Sequence, residues 1–77
     1  MYTEEMAEAF HKIMPPEGFS VDLYDNENWI TVMVDPKSII GKSQEELESI
    51  GKYVNDVKLT IESLGGLVLV AREALEE

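Results

Sequence analysis

Apolar and polar residues alternate twice within residues 18–35, and this two-residue period is typical of strands that bury one face. The polar segment between the two runs, residues 25–28, is typical of a turn, because Asn and Asp side chains bond the local backbone. The pattern predicts a β-hairpin whose buried face carries Phe19, Val21, Leu23, Ile30, Val32 and Val34. Trp29 and Met33 lie on the other face of the second strand, which indicates that something covers that face as well.

A short helix is predicted over residues 3–14, ahead of the hairpin. Thr3 can cap its amino end, and the two Glu residues that follow suit the positive end of the helix dipole. The predicted apolar stripe consists of Met6, Phe10, Ile13 and Met14. Pro15-Pro16 would end the helix, because neither ring can donate the next backbone hydrogen bond.

A second helix is predicted to begin at Gln44. The chain leaves the hairpin through Asp35-Pro36, since Pro cannot continue a central strand. Ser43 and Glu46 then form the S-x-x-E pattern of a capping box, in which each side chain bonds the other residue's backbone N–H. This pair marks the best-defined element boundary in the sequence.

Two endings are open for this second helix. Apolar residues with three- and four-residue spacing continue to Leu64, and Gly65-Gly66 would cap a helix of that length. Residues 57–61 also alternate between apolar and polar, after an Asn-Asp pair that would suit a turn. In the second interpretation the helix ends near Val54 and a strand follows.

The carboxyl-terminal segment, residues 67–77, also has two interpretations. Residues 67–70 (Leu-Val-Leu-Val) are β-prone and apolar on both faces, as in a central strand that follows a long helix. As a helix, the segment would instead place an apolar stripe along one side.

Together these elements predict one small α+β domain over residues 1–77. Its order is helix, β-hairpin, helix and strand, with the helices on one face of a three-stranded sheet. The right-handed crossover rule places the third strand parallel to the second, at either position in the sheet. A chain of 77 residues has a small core, and an exposed strand edge invites pairing with another copy, so a homodimer is favoured over a monomer.

Charge narrows the range of partners. Asp and Glu number 16 against 6 Lys and Arg, which gives a formal net charge of −10. Such a surface cannot hold a nucleic-acid backbone or anionic lipid by electrostatics. It favours a partner protein with a basic surface, approached quickly and in a salt-dependent way. The chain has no Cys, no signal-peptide pattern and no apolar run near the ~20 residues of a membrane span, so the predicted location is the cytoplasm.

No motif in the sequence points clearly to catalysis or metal binding. Residues 36–43 end in Gly-Lys-Ser like a phosphate-binding loop, but Pro36 stands where that loop needs its first Gly. The acids near the hairpin lack the spacing of a Ca²⁺ loop, and His11 has no partners with triad geometry. We therefore expect no enzyme activity, no cofactor and no dedicated metal site.

One aromatic side chain and five carboxylates are the candidates for partner binding. Trp29 starts the second strand beside acidic residues, and Trp is typical of interface hot spots. The acids that would meet Lys and Arg side chains are Asp25, Glu27, Glu45, Glu46 and Glu48. The leading hypothesis is a non-enzymatic inhibitor that engages a basic surface, in one form by mimicking nucleic-acid phosphates as some phage-encoded inhibitors do.

Residues 39–42 (Ile-Ile-Gly-Lys) lie between the predicted hairpin and the second helix. They are similar to the approach to the G-x-x-G loop of KH domains, and the predicted order of elements resembles that of type II KH domains. This resemblance implies an alternative function, the binding of RNA. Gln44 replaces the second Gly of that loop, and acidic residues follow where phosphates would lie. This hypothesis requires a strand at residues 57–61.

A third hypothesis is an enzyme or small-molecule binder. It requires a deep pocket lined by Trp29, Met33 or the last strand, because such ligands bind in concave sites that bury most of their surface.

Overall fold

A computed structural model describes residues 2–72 of the chain, and the elements follow the predicted order. They are α1 (Glu4–Lys12), β1 (Val21–Asp25), β2 (Ile30–Val34), a 3-10 turn (Pro36–Ser38), α2 (Gln44–Ser63) and β3 (Val68–Arg72). β2 is the middle strand, antiparallel to β1 and parallel to β3. The predicted α+β arrangement is confirmed.

Both helices pack on one face of the sheet. The buried core consists of Met6, Phe19, Ile30, Val32, Val34, Ile50, Tyr53, Val57, Ile61 and Val68. Within it the rings of Phe19 and Tyr53 meet edge to face, with their centroids 5.9 Å apart. A large apolar side chain contributes about 1.5–3 kcal/mol when it is fully buried. The core between the helices and the sheet therefore supplies most of the apolar stabilisation.

The β-hairpin is confirmed, and its register places Leu23 opposite Val32 on the buried face. The turn is closed by the Asn26 N–H, which donates to the Trp29 carbonyl at 2.9 Å. Within it the Asn28 N–H donates to the Asn26 side-chain oxygen at 3.2 Å, as predicted for an Asx-rich turn. These bonds fix where Trp29 leaves the turn and enters the sheet.

Helix α1 begins as predicted but ends earlier. The Thr3 side chain caps it by accepting from the Met6 N–H at 3.2 Å. The backbone is already extended at Ile13, and the Met14 side chain is 83% exposed. Placing Met14 in the apolar stripe was therefore wrong, because the residue before a proline favours an extended backbone and Met14 precedes Pro15.

The predicted capping box at the start of α2 is confirmed. The Ser43 hydroxyl accepts from the Glu46 N–H at 3.1 Å, and the Glu46 carboxylate accepts from the Ser43 N–H at 3.2 Å. The helix begins at Gln44, as the pattern indicated.

Of the two endings considered for α2, the long helix is confirmed and the strand at residues 57–61 is wrong. Val57 and Ile61 lie one turn apart on the buried stripe, whereas Leu59 points away from the core and is 53% exposed. Four-residue spacing toward the sheet therefore outweighs the local two-residue alternation. The strand that the KH-like hypothesis requires does not form.

The predicted glycine cap ends α2. Gly65 adopts a left-handed φ of +96°, which residues with a side chain rarely adopt. Its N–H donates to the Glu62 carbonyl and the Gly66 N–H donates to the Ile61 carbonyl, both at 3.1 Å. This pair of bonds is the Schellman arrangement, and it turns the chain back toward the sheet.

Strand β3 runs parallel to β2 as predicted, but it lies at the edge of the sheet and not in its centre. β1 already occupies one side of β2 through the hairpin, so the crossover through α2 can reach only the other side. The expectation of a central strand was therefore wrong. The helical alternative for the tail fails for the strand residues, and its remainder, residues 73–77, lies outside the described residues.

Replacing Gly66 with Ala should destabilise the fold. A Cβ at this position would lie 2.7 Å from Ile61 Cγ2 and 3.2 Å from Met6 Cε, and both of these side chains are buried. We expect the free energy of unfolding, measured by denaturant titration, to fall by about 1–3 kcal/mol.

Gly51→Ala is the matched control for that substitution. Gly51 lies within α2, and nothing lies within 4 Å of a Cβ built there. Ala is favoured over Gly inside a helix, so this variant should gain about 0.5–1 kcal/mol. Equal effects of the two substitutions would contradict the packing assigned to Gly66.

Candidate partner-binding face

The side of the sheet opposite the helices carries a mostly apolar surface, which we call the open face. Because Ile30, Val32 and Val34 point into the core, the alternate residues of β2 point the other way. With their neighbours on β1 and ahead of and within β3, the open face consists of Tyr24, Trp29, Thr31, Met33, Leu67 and Leu69. Tyr24, Thr31 and Leu69 form one row across the three strands, with Thr31 in the middle strand.

Solvent reaches the outer residues of the open face. Tyr24, Leu67 and Leu69 are 55%, 58% and 47% exposed. Trp29, Thr31 and Met33 are only partly buried, since they lie between neighbours but have no layer above them. Within residues 2–72 no helix or strand covers this side of the sheet, although the sequence indicated that something would.

Acidic residues border the open face on three sides. Asp22 lies on β1 opposite Met33, at the end away from Trp29. Asp35 follows β2, where its carboxylate accepts from the Lys37 N–H at 3.0 Å. Glu27 lies in the exposed hairpin turn, immediately before Asn28 and Trp29. The centre of the face carries no charge, so it combines an apolar middle with an anionic border.

A small hollow lies beside Trp29, between the hairpin turn and the glycine pair that ends α2. Its volume is about 100 Å³, and its lining includes Glu27, Trp29, Gly66 and Leu67. Typical small-molecule sites measure about 300–1,000 Å³, so this hollow can take the end of one side chain and little more. Within residues 2–72, this hollow is too small to be the deep pocket that the small-molecule hypothesis requires beside Trp29.

The structure divides the candidate acids between opposite ends of the molecule. Asp25 and Glu27 flank the hairpin turn near Trp29, and Asp25 lies opposite Ile30, so it belongs to the helix side of the sheet edge. Glu45, Glu46 and Glu48 occupy the first turns of α2, whose 20 residues then run back to the Trp29 end. At 1.5 Å per residue, the helix separates the two groups by about 25 Å. They cannot meet one small basic patch together.

Glu46 already has a structural role in its own helix. Besides the capping box, its carboxylate lies 3.6 Å from the Lys42 ammonium. The pKa of the Glu46 carboxyl is lowered, first by the hydrogen bond from the Ser43 backbone and then by the Ser43 side chain and the Lys42 charge. Its negative charge therefore stabilises the start of α2.

Sequence reasoning placed Trp29 and Met33 on this face of the second strand but missed Tyr24, Leu67 and Leu69. Tyr24 reads as a polar-side strand residue, and Leu67 and Leu69 read as buried when β3 is placed in the centre of the sheet. The sequence did contain a sign of this surface, because residues 67–70 are apolar on both faces. In a sheet with helices on one side only, one of those faces is left exposed.

Other kinds of site find little support in residues 2–72. No cluster of three or more His, Cys, Asp or Glu side chains in this part of the chain could hold a metal ion. None of the described helices is long and apolar enough to cross a bilayer. No family model, curated protein or solved structure matches the chain.

Glu46→Gln should lower stability near neutral pH and have less effect in acid. A lowered pKa in the folded state means that the carboxylate stabilises the fold above its ordinary pKa. That stabilisation is lost as the pH falls through the folded-state pKa, so the stability difference between wild type and variant should shrink there. Denaturant titrations across the acidic range would measure it.

Glu48→Gln is the control, because it removes the same charge from the same helix outside the capping box. If both variants show the same pH profile, the Glu46 contribution comes from net charge and not from its hydrogen bond to Ser43.

Proposed function

We propose that this domain is a non-enzymatic binding protein whose open face docks on a basic region of a partner protein. The observation that carries the proposal is the open face itself, an exposed apolar surface with acids around it in a chain of net charge −10. Exposed apolar patches with a polar border are typical of protein interaction sites. The charge selects the sign of the partner.

The Trp29 end of the open face is the proposed anchor. Glu27 and Trp29 both line the small hollow, which has room for the end of a Lys or Arg side chain. There the carboxylate would pair with the incoming cation, and the indole ring would attract it through a cation–π interaction. A basic side chain therefore gains two favourable contacts at this point, which an acidic or neutral one does not.

The acids at the start of α2 have a different part in this proposal. Glu45 and Glu48 are about 25 Å from the hollow by helix length, beyond a Debye length of about 8 Å at physiological salt. They add to the field that steers a basic partner but do not share its anchor. Phosphate mimicry, in which the domain occupies a nucleic-acid-binding cleft as an inhibitor, would need a partner long enough to reach both ends.

We place the partner among basic cytoplasmic proteins. A chain without Cys suits a reducing compartment, and the sign of the charge opposes direct contact with nucleic acid or anionic lipid.

An oligo-arginine peptide is a suitable first probe, and Trp29, the one Trp of the chain, reports its binding by fluorescence. Glu27→Gln should weaken binding by about fivefold, which corresponds to about 1 kcal/mol for an exposed ion pair. Binding by the wild type should weaken steeply as salt is raised.

Glu48→Gln makes the same charge change at the far end of α2 and should alter affinity much less. Equal losses in the two variants would show that the peptide responds to net charge alone. Binding that is insensitive to salt, or a stronger response to single-stranded polynucleotide than to the peptide, would overturn the proposal.

A further inference from the structure

The free edge of β3 differs from the other free edge of the sheet. β1 carries Asp22 and Asp25, and charged side chains on an edge strand discourage pairing with another strand. In β3 and the residue before it, five consecutive positions from Leu67 to Ala71 are all apolar. β3 has one charged residue, Arg72, and it stands at the very end of the strand, so in a chain with 16 acids this edge has much less of that protection and is suited to pairing.

Successive residues of β3 direct their backbone N–H and C=O groups alternately toward β2 and outward from the sheet. The Ile30 N–H donates to the Leu67 carbonyl at 2.8 Å, in a parallel register that places Ile30 beside Val68. In a parallel ladder, alternate residues face the partner strand, so Leu67 and Leu69 direct their N–H and C=O groups at β2. Val68 and Val70 direct theirs outward from the sheet.

The helical layer stops short at this same edge. Val68 and Val70 lie on the core side of β3, opposite Ile30 and Val32. Val68 is only 3% exposed, whereas Val70 is 47% exposed because no described residue covers it as α2 covers Val68. Among the described residues nothing completes the core at Val70, which lies beside the row of outward backbone groups.

We propose that β3 pairs with β3 of a second copy, antiparallel about a two-fold axis at Val70, to form a six-stranded sheet. In that register Val70 meets its own counterpart, and Val68 meets residue 72 of the other copy. In each of these pairs, both residues direct their backbone N–H and C=O groups at the strand of the other copy. This is the pattern of a hydrogen-bonded antiparallel pair. The two exposed Val70 side chains become cross-strand neighbours and complete the core.

A second copy fits this edge better than a basic partner does. The strip from Leu67 to Ala71 offers no acid to attract a cation, so the complementarity that governs the open face does not apply here. What the strip offers is self-complementary, namely apolar side chains and one row of alternating donors and acceptors. Repulsion between two copies of charge −10 opposes the pairing, so added salt should strengthen it.

Sedimentation velocity from low micromolar to submillimolar concentration tests the pairing through Val70→Lys. The wild type should shift from one 8.7 kDa chain to twice that mass, more readily at high salt. The substitution should weaken association at least about tenfold, because two ammonium groups would then face each other across the axis.

Leu59→Lys is the matched control for that variant. Leu59 is similarly exposed, at 53%, and the same charge is added on the outer side of α2. Its dimer should be as strong as that of the wild type or slightly stronger, since net repulsion falls. Equal weakening by the two substitutions would overturn the proposal, as would a monomer at every concentration and salt level.

Amide hydrogen exchange by NMR locates the interface without any substitution. The amides of Leu69 and Ala71 face β2 and should be protected at all concentrations. Those of Val68 and Val70 should become protected only as the dimer forms. A dimer in which the Val68 and Val70 amides stay unprotected would pair through another surface, and it would contradict the proposal.

Discussion

The packing of α2 against the sheet determines the rest of this molecule. The buried stripe of α2, which includes Val57 and Ile61, shares one core with the inward side chains of β2, which include Val32. Because α2 starts at the far end of β2 and returns along it, β3 must run parallel to β2 and on its free side. The same contact places both helices in a single layer, so the other side of the sheet is left uncovered within residues 2–72. The open face is thus a consequence of topology.

The acids are arranged so that few of them oppose folding. Glu4, Glu5, Glu45 and Glu46 lie in the first turns of the two helices, where the helix dipole and the unbonded N–H groups favour carboxylates. Within residues 2–71 no charged side chain is buried, and the core is apolar apart from the hydroxyl group of Tyr53. The negative charge is therefore free to act on partners, while the apolar strip of β3 and the centre of the open face stay uncharged.

Sequence patterns that depend on neighbouring residues predicted the helices and strands well. Features that depend on the whole fold were predicted less well. The hairpin alternation and the Ser43–Glu46 capping box depend on neighbours in the chain, so they could be read directly. The segment around Leu59 could not be assigned from its neighbours in the chain, because its apolar residues fit both a helix and a strand. Which of the two forms depends on the side of the segment that faces the sheet. Met14 was misplaced because helical spacing continues past the point where Pro15 forces the backbone to extend.

The candidate site was the hardest part to predict, for a physical reason. Trp29 stands out by its residue type, but the open face exists only once three strands lie side by side and bring Tyr24 next to Leu69 across Thr31. The separation of Glu27 from Glu48 likewise depends on α2 being one long helix. A list of acids along the chain contains neither fact, since both are properties of the register and of helix length.

The two proposed surfaces adjoin, and their energetics are linked. Leu69 belongs to the open face and lies on the strand whose edge would pair, so pairing of two copies would extend one open face into the other. Each copy then presents its own Glu27 and Trp29, and a partner with two basic patches gains from binding both at once. A basic partner also neutralises the charge that holds two copies of net charge −10 apart, so partner binding favours pairing. By linkage, pairing must favour partner binding to the same extent. Salt acts on the two steps in opposite directions, since it weakens attraction to the partner and relieves repulsion between the copies.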